Sequence, residues 1–579
     1  MGTIDQAALD ALSTSFGGTI VTPADDSYDE DRELFNAAID KTPGVIVKPI
    51  SPDDVSVAIR WAREHGLEIS VKSGGHGVVG HALTDGGMTI DMRTMNSVSV
   101  DPEKRIARVG GGARWGEFDE ETQKHALGAT GGRVSTTGVA GLTLGGGSGW
   151  IERKYGLACD NLRAVELVTA SGDLVRASDD ETPDLLWALR GGGGNFGVAT
   201  ALEFEVYPLG PEIFIALMLF DASDAEDLAK NYRAFIDADA PEEVGGGVAF
   251  LTAPPEEFVP ADRQGTVMAG QIITWCGPVD QAEKACAPLL QFGNPIVNVQ
   301  MPVPYATFQS MLDDPPGHRN YWTAEYLDKL PDEGIDVWAR YGREQRPSPT
   351  QLVWLPWGGA VKRGPDSALR AREANWVFHP LSLWESKDDD EWWINWSRNS
   401  RQEIARFSIG TAYMNFQSDA TDDKVAAAFG KDIYERLAEI KGRYDPDNVF
   451  HLNNNITPRK AAEPAGSAGG PAGTWLRTRG RLFRPGIQPG RWEHTFPISD
   501  RRWPVNNVRE VVVNPYGGWD AVDPSAPGSL GNFSTVDEAR AVAQGSLLRA
   551  GGGTLVIRLP DGPQEILIEE PGLLDLVRD

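Results

Sequence analysis

The chain has 579 residues, which is too many for a single hydrophobic core and predicts two or three domains. Its hydrophobic (41%) and charged (24%) fractions are typical of a soluble globular protein, and its net charge of −29 argues against nucleic-acid binding and against docking on anionic membranes. The 3 cysteines show no CxxC spacing and the 8 histidines no metal-binding pattern, so we expect no disulfide framework, no metal site and a reducing, cytoplasmic location. The first residues show neither a secretory signal nor a membrane span.

The N-terminal part alternates helix and strand signals. The segment after the capping residue Ser51 carries apolar residues at helical spacing from Val55 to Ala62, which predicts a helix. Strands are predicted at LEISVKS, GGMTIDMRTMNSVSVD and RIARVGGGAR, and a further helix at ARWGEFDEETQKHALG. This alternation, with hairpins inside it, predicts a mixed α and β domain.

From about Pro211 the pattern changes to longer strands with helices between them, such as GTVMAGQIITWCG and TQLVWLPWGGAV, and predicts a second domain with a broad antiparallel sheet. A linker rich in Pro, Gly and Ala follows at Ala461–Gly473. Beyond it, VREVVVNP, GWDAVDP, a helix with Thr535 and Glu538 as a capping box, TLVIRLP and QEILIEE predict a small β-β-α-β-β domain.

Glycine is concentrated in four clusters of the N-terminal part: SGGHG, VGGGA, GVAGLTLGGGSG and RGGGGNFG. One such cluster is ordinarily a turn, whereas four at the ends of predicted elements favour a large ligand that lies against bare backbone. Successive backbone N–H groups bind anions, so a dinucleotide with a pyrophosphate is a candidate. A first strand followed by GxGxxG is missing, which argues against a Rossmann site.

The clusters belong to an ordered set of motifs: SVKSGGHG, GVAGLTLGGGSGWIERKYGLACDNL, LWALRGGGGNFGVAT, YMNF and RYDPDNVFHLNNNI. Together these motifs resemble the FAD-linked oxidases of the vanillyl-alcohol oxidase superfamily. The berberine-bridge-enzyme-like branch, with its bacterial 6-hydroxynicotine-oxidase-type members, is the most similar. The resemblance extends from about Thr22 to Pro458 and does not include the C-terminal part.

The resemblance implies an α+β fold in which a two-part FAD-binding domain is combined with a substrate domain whose large antiparallel sheet covers the flavin ring. The small C-terminal β-β-α-β-β extension is additional. The expected boundaries are 1–208 and 411–460 for the two parts of the FAD-binding domain, 209–410 for the substrate domain, 461–504 for a linker and irregular segment, and 505–579 for the accessory domain.

The resemblance also implies that His76 is covalently bonded to the flavin 8α-methyl group; the alternatives are non-covalent binding or a structural turn. Val134 stands where some members carry a cysteine that forms a second link, so a single link is expected. The other cofactor-binding residues that the resemblance implies are Ser73, Gly74, Gly75, Gly77, Gly138, Gly141, Gly145, Gly146, Gly149, Gly197, Val198, Asn453 and Asn455. For the two asparagines, a role in a turn or a helix cap remains the alternative.

The implied reaction moves a hydride from a substrate C–H to flavin N5 while a base takes the proton of an O–H or N–H group. Tyr413 and Asn415 match the family segment on the substrate side of the ring, and Tyr413 is the first candidate for proton acceptor or orienting group. No glutamate stands in this segment, where Gln417 follows Phe416, which puts a glutamate base in doubt. Weaker candidates for the base are Glu325, Tyr155 and His379.

The tryptophans of the middle domain indicate either an aromatic substrate face or ordinary core packing, and Trp322, Trp354 and Trp357 are the candidates for substrate contact. The predicted function is therefore an oxidase with covalent FAD that acts on the alcohol or amine of a small aromatic or glycosidic substrate, with O₂ as acceptor. The alternatives are a flavin dehydrogenase with another acceptor and a non-catalytic flavin-binding protein.

Overall fold

The structure is a computed structural model that describes residues 4–459 except 312, 315 and 420, together with five strands between residues 508 and 568. The chain divides into two compact units, Met1–Ala462 and Glu463–Asp579. No helix among the described residues is long and apolar enough to cross a bilayer.

The first unit begins with a four-stranded sheet of order β1-β2-β4-β3, in which β4 runs parallel to both β2 and β3. The elements of this part are α1 (Gln6–Ser15), β1 (Thr19–Val21), α2 (Tyr28–Asp31), β2 (Val45–Lys48), α3 (Pro52–Glu64), β3 (Ile69–Lys72) and β4 (Met88–Asp91).

Helix α3 confirms the prediction made from its sequence. The Ser51 side chain accepts a hydrogen bond from the Asp54 N–H, and a proline occupies the first turn, where its missing N–H has no cost. Val55 and Ala62 are fully buried on the face that packs against the sheet.

The second sheet is entirely antiparallel, with order β5-β6-β10-β8-β9. Its strands and the pair β7–β11 are β5 (Val98–Asp101), β6 (Ile106–Gly110), β7 (Leu127–Gly128), β8 (Leu162–Val168), β9 (Leu174–Ser178), β10 (Val198–Glu205) and β11 (Tyr207–Pro208). The helices here are α4 (Trp115–Gln123), α5 (Val139–Leu144), α6 (Glu152–Tyr155) and α7 (Pro183–Leu189). The predicted single strand GGMTIDMRTMNSVSVD is instead two strands of different sheets, β4 and β5, because a 3₁₀ turn at Met92–Thr94 redirects the chain.

The third sheet has eight strands, all antiparallel, with order β15-β12-β14-β13-β18-β19-β16 and with β17 also paired to β19. It confirms the predicted broad antiparallel sheet. Its strands are β12 (Glu212–Phe220), β13 (Val244–Thr252), β14 (Val267–Trp275), β15 (Val297–Pro304), β16 (Arg319–Trp322), β17 (Glu325–Leu327), β18 (Gln351–Pro356) and β19 (Trp376–Trp384). The associated helices are α8 (Ala225–Asp237), α9 (Ala282–Ala285), α10 (Ala287–Leu290), α11 (Tyr305–Met311), α12 (Asp332–Glu344) and α13 (Asp390–Ile404).

The chain then returns to the second sheet. Helices α14 (Asp422–Phe429) and α15 (Lys431–Tyr444) contribute Val425 and Leu437 to the apolar cluster that also contains Leu186 and Leu202. Residues that are more than 200 positions apart in the chain therefore share one core.

The second unit contains one five-stranded sheet of order β22-β21-β20-β23-β24, in which only β20 and β23 run parallel. The strands are β20 (Val508–Val513), β21 (Trp519–Val522), β22 (Ser529–Phe533), β23 (Gly553–Leu559) and β24 (Gly562–Ile568). Strand β22 was not predicted from the sequence, because its glycine and asparagine weaken the strand signal of a segment that pairs with β21. The predicted helix that follows lies outside the described residues.

Candidate active site

His76 lies in the loop that follows β3, and its half-buried imidazole stacks on the Phe35 ring with centroids 4.1 Å apart and planes 16° apart. Its Nε2 is 2.9 Å from Thr136 Oγ1, and its Nδ1 is 3.4 Å from Thr137 Oγ1. Burial, with a smaller contribution from the positive charge of Arg114, lowers the pKa of His76 to about 3. The imidazole is therefore neutral at physiological pH.

Two of the glycine clusters contact each other directly beside this histidine. A Cβ atom on Gly74 would lie 2.2 Å from the Gly138 nitrogen, and one on Gly138 would lie 2.5 Å from Ser73 Oγ. The Ser73 hydroxyl donates to the Gly111 carbonyl at 2.9 Å. Gly75 has φ +73°, a conformation that favours glycine. Contacts within the chain therefore hold the Ser73–Gly77 loop in place.

Several of the other predicted cofactor glycines also have a reason within the chain. A Cβ on Gly149 would lie 1.9 Å from the Gly131 carbonyl oxygen, and one on Gly197 would lie 2.6 Å from the Val168 carbonyl oxygen. Val198 is buried and begins β10, paired with Val168. These glycines allow backbone segments to approach each other, whether or not a ligand also lies against them.

Gly77 and Gly141 are different, because a Cβ atom on either would have no neighbour within 4 Å. Both are exposed, and Gly141 lies inside α5, where glycine is less stable than alanine by about 1 kcal/mol. Contacts within the chain give no reason for glycine at these two positions. Such open backbone fits a cradle for a bound group that must approach the main chain closely.

Tyr413 lies at the other end of α5, fully buried, with its hydroxyl oxygen against the glycine-rich turn. The backbone N–H groups of Gly147 and Ser148 donate to this oxygen at 2.8 and 3.1 Å, and Asn415 Nδ2 donates to it at 2.8 Å. A Cβ on Gly145 would lie 2.1 Å from Asn415 Oδ1, so glycine is required for this approach. The two predicted catalytic residues are thus in direct contact.

Two influences act on the Tyr413 phenol in opposite directions. Burial raises its pKa to about 12, whereas the converging N–H groups of Gly147, Ser148 and Asn415 lower it. Three N–H donors that meet at one oxygen are an arrangement that stabilises negative charge. At neutral pH the balance leaves the hydroxyl protonated.

A series of rings, which we call the aromatic wall, connects His76 to Tyr413 and beyond. Its members are His76, Phe35, Trp322, His379, Phe416, Tyr413 and Trp357, with successive centroids 4.1, 6.1, 5.9, 4.2, 4.8 and 6.0 Å apart. Two of the three predicted substrate tryptophans therefore lie in one wall with the predicted linkage histidine and the predicted base.

Trp354 is not part of the aromatic wall. It packs with Trp338 and Phe378 in the cluster beneath α8, α12 and α13, whereas its neighbours Val353 and Leu355 lie in the cluster with Tyr413. Side chains alternate between the two faces of a strand, and Trp354 points to the helical face. It is therefore a core residue.

The three weaker candidates for the base, Glu325, Tyr155 and His379, each make a contact of their own within the chain. The buried Glu325 pairs with Arg401 at 2.6 Å, and the Tyr155 hydroxyl donates to the Pro208 carbonyl at 2.7 Å, outside the aromatic wall. His379 Nδ1 is 2.8 Å from the Thr323 carbonyl, which can only accept, so Nδ1 carries the hydrogen. Its Nε2 is a buried atom that has no hydrogen-bond partner among the described residues, and burial lowers the pKa of His379 to about 4.

One asparagine of HLNNNI, Asn455, contacts a buried lysine. Lys441 Nζ donates to Asn455 Oδ1 at 3.0 Å, to Asn195 Oδ1 at 3.1 Å and to the Phe450 carbonyl at 2.9 Å. Asn453 Nδ2 also donates to the Phe450 carbonyl, at 2.8 Å. The contacts of Asn453 and Asn455 with a cofactor remain predictions.

Sequence reasoning missed Phe35, Thr136 and Thr137 as neighbours of His76. Phe35 lies in a segment without glycine or any motif, and the two threonines are separated from His76 by about 60 positions. The contact of the Gly74 and Gly138 backbones brings the two threonines to His76, and the Phe35 N–H donates to the Gly75 carbonyl at 3.3 Å.

Comparison with known proteins extends these observations. Residues 43–178 match a family described as "FAD binding domain", and residues 412–457 match one described as "Berberine and berberine like". The chain is 31% identical over 470 residues to (R)-6-hydroxynicotine oxidase of Paenarthrobacter nicotinovorans, which covers 77% of this chain and 98% of that protein. It is 28% identical over 459 residues to the FAD-linked oxidoreductase YgaK of Bacillus subtilis, again covering 77% of this chain and 98% of the relative.

Solved structures show the same fold. The crystal structure of 6-hydroxy-D-nicotine oxidase from Arthrobacter nicotinovorans has a TM-score of 0.68 at 28% identity and covers 77% of this chain and 99% of that one. The xylooligosaccharide oxidase of Myceliophthora thermophila has a TM-score of 0.68 at 21% identity and covers 79% and 100%. Fold and sequence matches define an FAD-linked oxidoreductase. The chain belongs to the berberine-bridge-enzyme-like branch of the vanillyl-alcohol oxidase superfamily.

Gly141→Ala tests whether FAD lies against α5. Alanine is the better helix former and nothing in the chain opposes its Cβ, so the variant is expected to fold at least as stably as the wild type. If the cofactor occupies the open space, FAD affinity should fall by about tenfold or more, as measured by titration of flavin-depleted full-length protein in a His76→Ala background, where no covalent bond forms. Gly334→Ala, in α12 with its nearest neighbour at an ordinary 3.4 Å, is the control and should bind FAD normally. Unchanged affinity in Gly141→Ala would remove α5 from the cradle.

Proposed function

We propose that the Ser73–Gly77 loop and the 138–149 segment of this oxidoreductase would hold FAD, with His76 bonded to it, and that the enzyme oxidises the C–H of a small alcohol or amine with molecular oxygen as the final acceptor. The observation that carries this proposal is the contact of the His76 loop with the 136–138 segment that leads into α5, where Gly77 and Gly141 leave open backbone, next to the aromatic wall. When bound, the flavin supplies the hydride-accepting chemistry.

A single covalent link is proposed. His76 Nδ1 has only a long contact of 3.4 Å with a hydroxyl, and a neutral imidazole offers a nucleophilic lone pair. Val134, at the position of the second link in some relatives, has no nucleophilic atom. The remaining cofactor contacts are assigned to the Ser73–Gly77 loop, the 138–149 segment, Gly197, Val198, Asn453 and Asn455.

Tyr413 is proposed as the residue that orients the polar hydrogen of the substrate and takes its proton. Its Oη is held by Gly147, Ser148 and Asn415, so its position relative to the glycine turn is fixed. Because burial raises the pKa of the phenol to about 12, proton acceptance proceeds through the small phenolate fraction that these N–H donors stabilise. Asn415 acts by positioning this oxygen.

The aromatic wall favours a substrate with an apolar or aromatic body. Trp322 and Trp357 contribute large, buried rings to this wall, and aromatic faces also attract an amine that carries positive charge. One relative is named for 6-hydroxynicotine, an amine with an aromatic ring, and one structural neighbour for xylo-oligosaccharides, which are polar sugars. A panel of nicotine-type amines, benzylic alcohols and oligosaccharides therefore covers the proposed class.

The proposal is tested by adding each member of this panel to the purified full chain, first without oxygen and then in air. We expect at least one compound to bleach the flavin absorbance anaerobically and to release one hydrogen peroxide per turnover in air. Bleaching without peroxide would contradict the oxidase and indicate a dehydrogenase with another acceptor. A flavin that no member of the panel reduces would contradict the proposed substrate class.

A further inference from the structure

The imidazole of His76 is held from three sides before any ligand is considered. Phe35 covers one face of the ring, Thr136 Oγ1 lies 2.9 Å from Nε2, and Thr137 Oγ1 lies 3.4 Å from Nδ1. The ring plane and its rotation about Cβ–Cγ are thereby fixed. Because His76 is proposed to form a covalent bond, the position of its hydrogen decides which of its two nitrogens has a lone pair and can react.

We propose that Thr136 is a positioning residue for covalent attachment of the cofactor. Its Oγ1, 2.9 Å from Nε2, orients the ring, and in the tautomer that carries its hydrogen on Nε2 this oxygen accepts that hydrogen and leaves the lone pair on Nδ1 for the bond to the flavin 8α-carbon. This proposal rests on the proposed link between His76 and FAD.

Three observations support this assignment. The contact at Nε2 has the length of a normal hydrogen bond, whereas the 3.4 Å contact at Nδ1 is long and leaves that nitrogen weakly engaged. The Thr136 hydroxyl has no other hydrogen-bond partner among the described residues, so its side chain serves this contact. The neutral state that burial imposes on His76 also keeps one nitrogen unprotonated.

Main-chain contacts between the His76 loop and the 136–138 segment bring Thr136 to His76. The Gly74 Cα is so close to the 136–138 segment that a Cβ there would lie 2.9 Å from the Thr136 carbonyl oxygen. Main-chain contacts therefore hold Thr136 in place independently of its hydroxyl. Removal of the hydroxyl should alter the hydrogen bond without moving the loop.

The attachment step balances as follows. One hydrogen leaves the flavin 8-methyl group, one leaves the imidazole at Nε2, and the Nδ1–C8α bond forms. Both hydrogens leave as protons, and molecular oxygen, the acceptor already proposed for the enzyme, takes these two protons and the two electrons released and becomes hydrogen peroxide. The proton that leaves the imidazole is the one on Nε2, the nitrogen that Thr136 contacts, so this contact orients the ring for the step.

The test compares Thr136→Val with the matched variant Thr137→Val in the full-length protein. Each variant is incubated with FAD, and two quantities are followed: total bound flavin, by gel filtration, and the part that stays with the protein after acid precipitation. We expect Thr136→Val to bind FAD like the wild type but to form the covalent bond about tenfold more slowly or worse, because a hydrogen bond of ordinary strength is lost. Thr137→Val should stay within about twofold of the wild type, and Thr136→Ser should restore the rate.

Equal attachment rates in Thr136→Val and Thr137→Val would overturn the proposal. So would a parallel loss of total FAD binding in Thr136→Val, since that would indicate a structural role. If the wild type itself releases all its flavin on acid precipitation, the link to His76 fails first and the role of Thr136 fails with it, so the two failures are distinguishable.

Discussion

The His76→Ala protein is expected to bind FAD and to release all of it on acid precipitation. Alanine has no nucleophile, and the loop is held by Ser73, Gly74 and Gly138 rather than by the imidazole, so the cradle should persist. Loss of the bond should also lower the reduction potential of the flavin, and we expect turnover to fall by about 10- to 100-fold. The measurements are flavin fluorescence of the denatured chain on a gel and peroxide release in air.

The matched control is His81→Ala, a histidine in the same loop. Burial lowers the pKa of His81 to about 4, so it is also a neutral, enclosed imidazole. Because it has no place in the aromatic wall, His81→Ala should retain acid-stable flavin. If His76→Ala retained acid-stable flavin and His81→Ala lost it, the assignment of the link would be wrong.

The second large effect is expected for Tyr413→Phe. The substitution removes one oxygen that receives three N–H groups and leaves the ring, which packs against Phe416 and Trp357. If Tyr413 takes the substrate proton, the rate of anaerobic flavin reduction should fall by about 10²- to 10⁴-fold while flavin content is unchanged. Stopped-flow absorbance with the best compound of the panel measures this rate.

The pH profile separates this role from a structural one. A phenol loses its proton as pH rises, so the acceptor form of Tyr413 increases up to its pKa of about 12, and the reduction rate of the wild type should increase with pH. Tyr413→Phe should lose this increase. Tyr326→Phe, another fully buried phenol in the same cluster and 5.5 Å from Trp357, is the control and should keep both rate and profile. Comparable losses in both variants would contradict the assignment.

Much of the fold could be predicted because local signals agree with tertiary packing. The Ser51 cap and the apolar face of α3 are local features, and the broad antiparallel sheet follows from long alternating segments. The strand β22 was missed because its stability comes from pairing with β21, which its own sequence does not show. The division of GGMTIDMRTMNSVSVD between two sheets likewise depends on tertiary contacts.

The candidate site could be located from its glycines, but the reason for each glycine could not be read from the sequence. Gly145 makes room for Asn415 and Gly149 for the Gly131 carbonyl, whereas Gly141 faces open space. These cases look identical in sequence, because glycine shows only that a side chain is absent. The partner that requires its absence is set by segments distant in the chain.

The sequence also did not show to which face of the sheet each tryptophan side chain points. The three candidate tryptophans were equivalent by composition, yet strand alternation directs Trp354 to the helical face of the sheet, while Trp322 and Trp357 join the aromatic wall. Phe35 and Thr136 had no signal at all, since neither belongs to a motif. Thr136 contacts His76 because the loops after β3 and before α5 meet at Gly74 and Gly138, and Phe35 contacts it because the Phe35 N–H donates to the Gly75 carbonyl.

The central claim, a flavin bonded to His76, is tested most directly by mass spectrometry of the acid-denatured wild-type protein followed by peptide mapping. The account predicts that the intact chain carries the mass of one FAD and that the flavin is on the peptide containing His76, with no second flavin bond on the peptide containing Val134. A denatured chain with the unmodified mass, or a flavin located on any peptide that lacks His76, would contradict it.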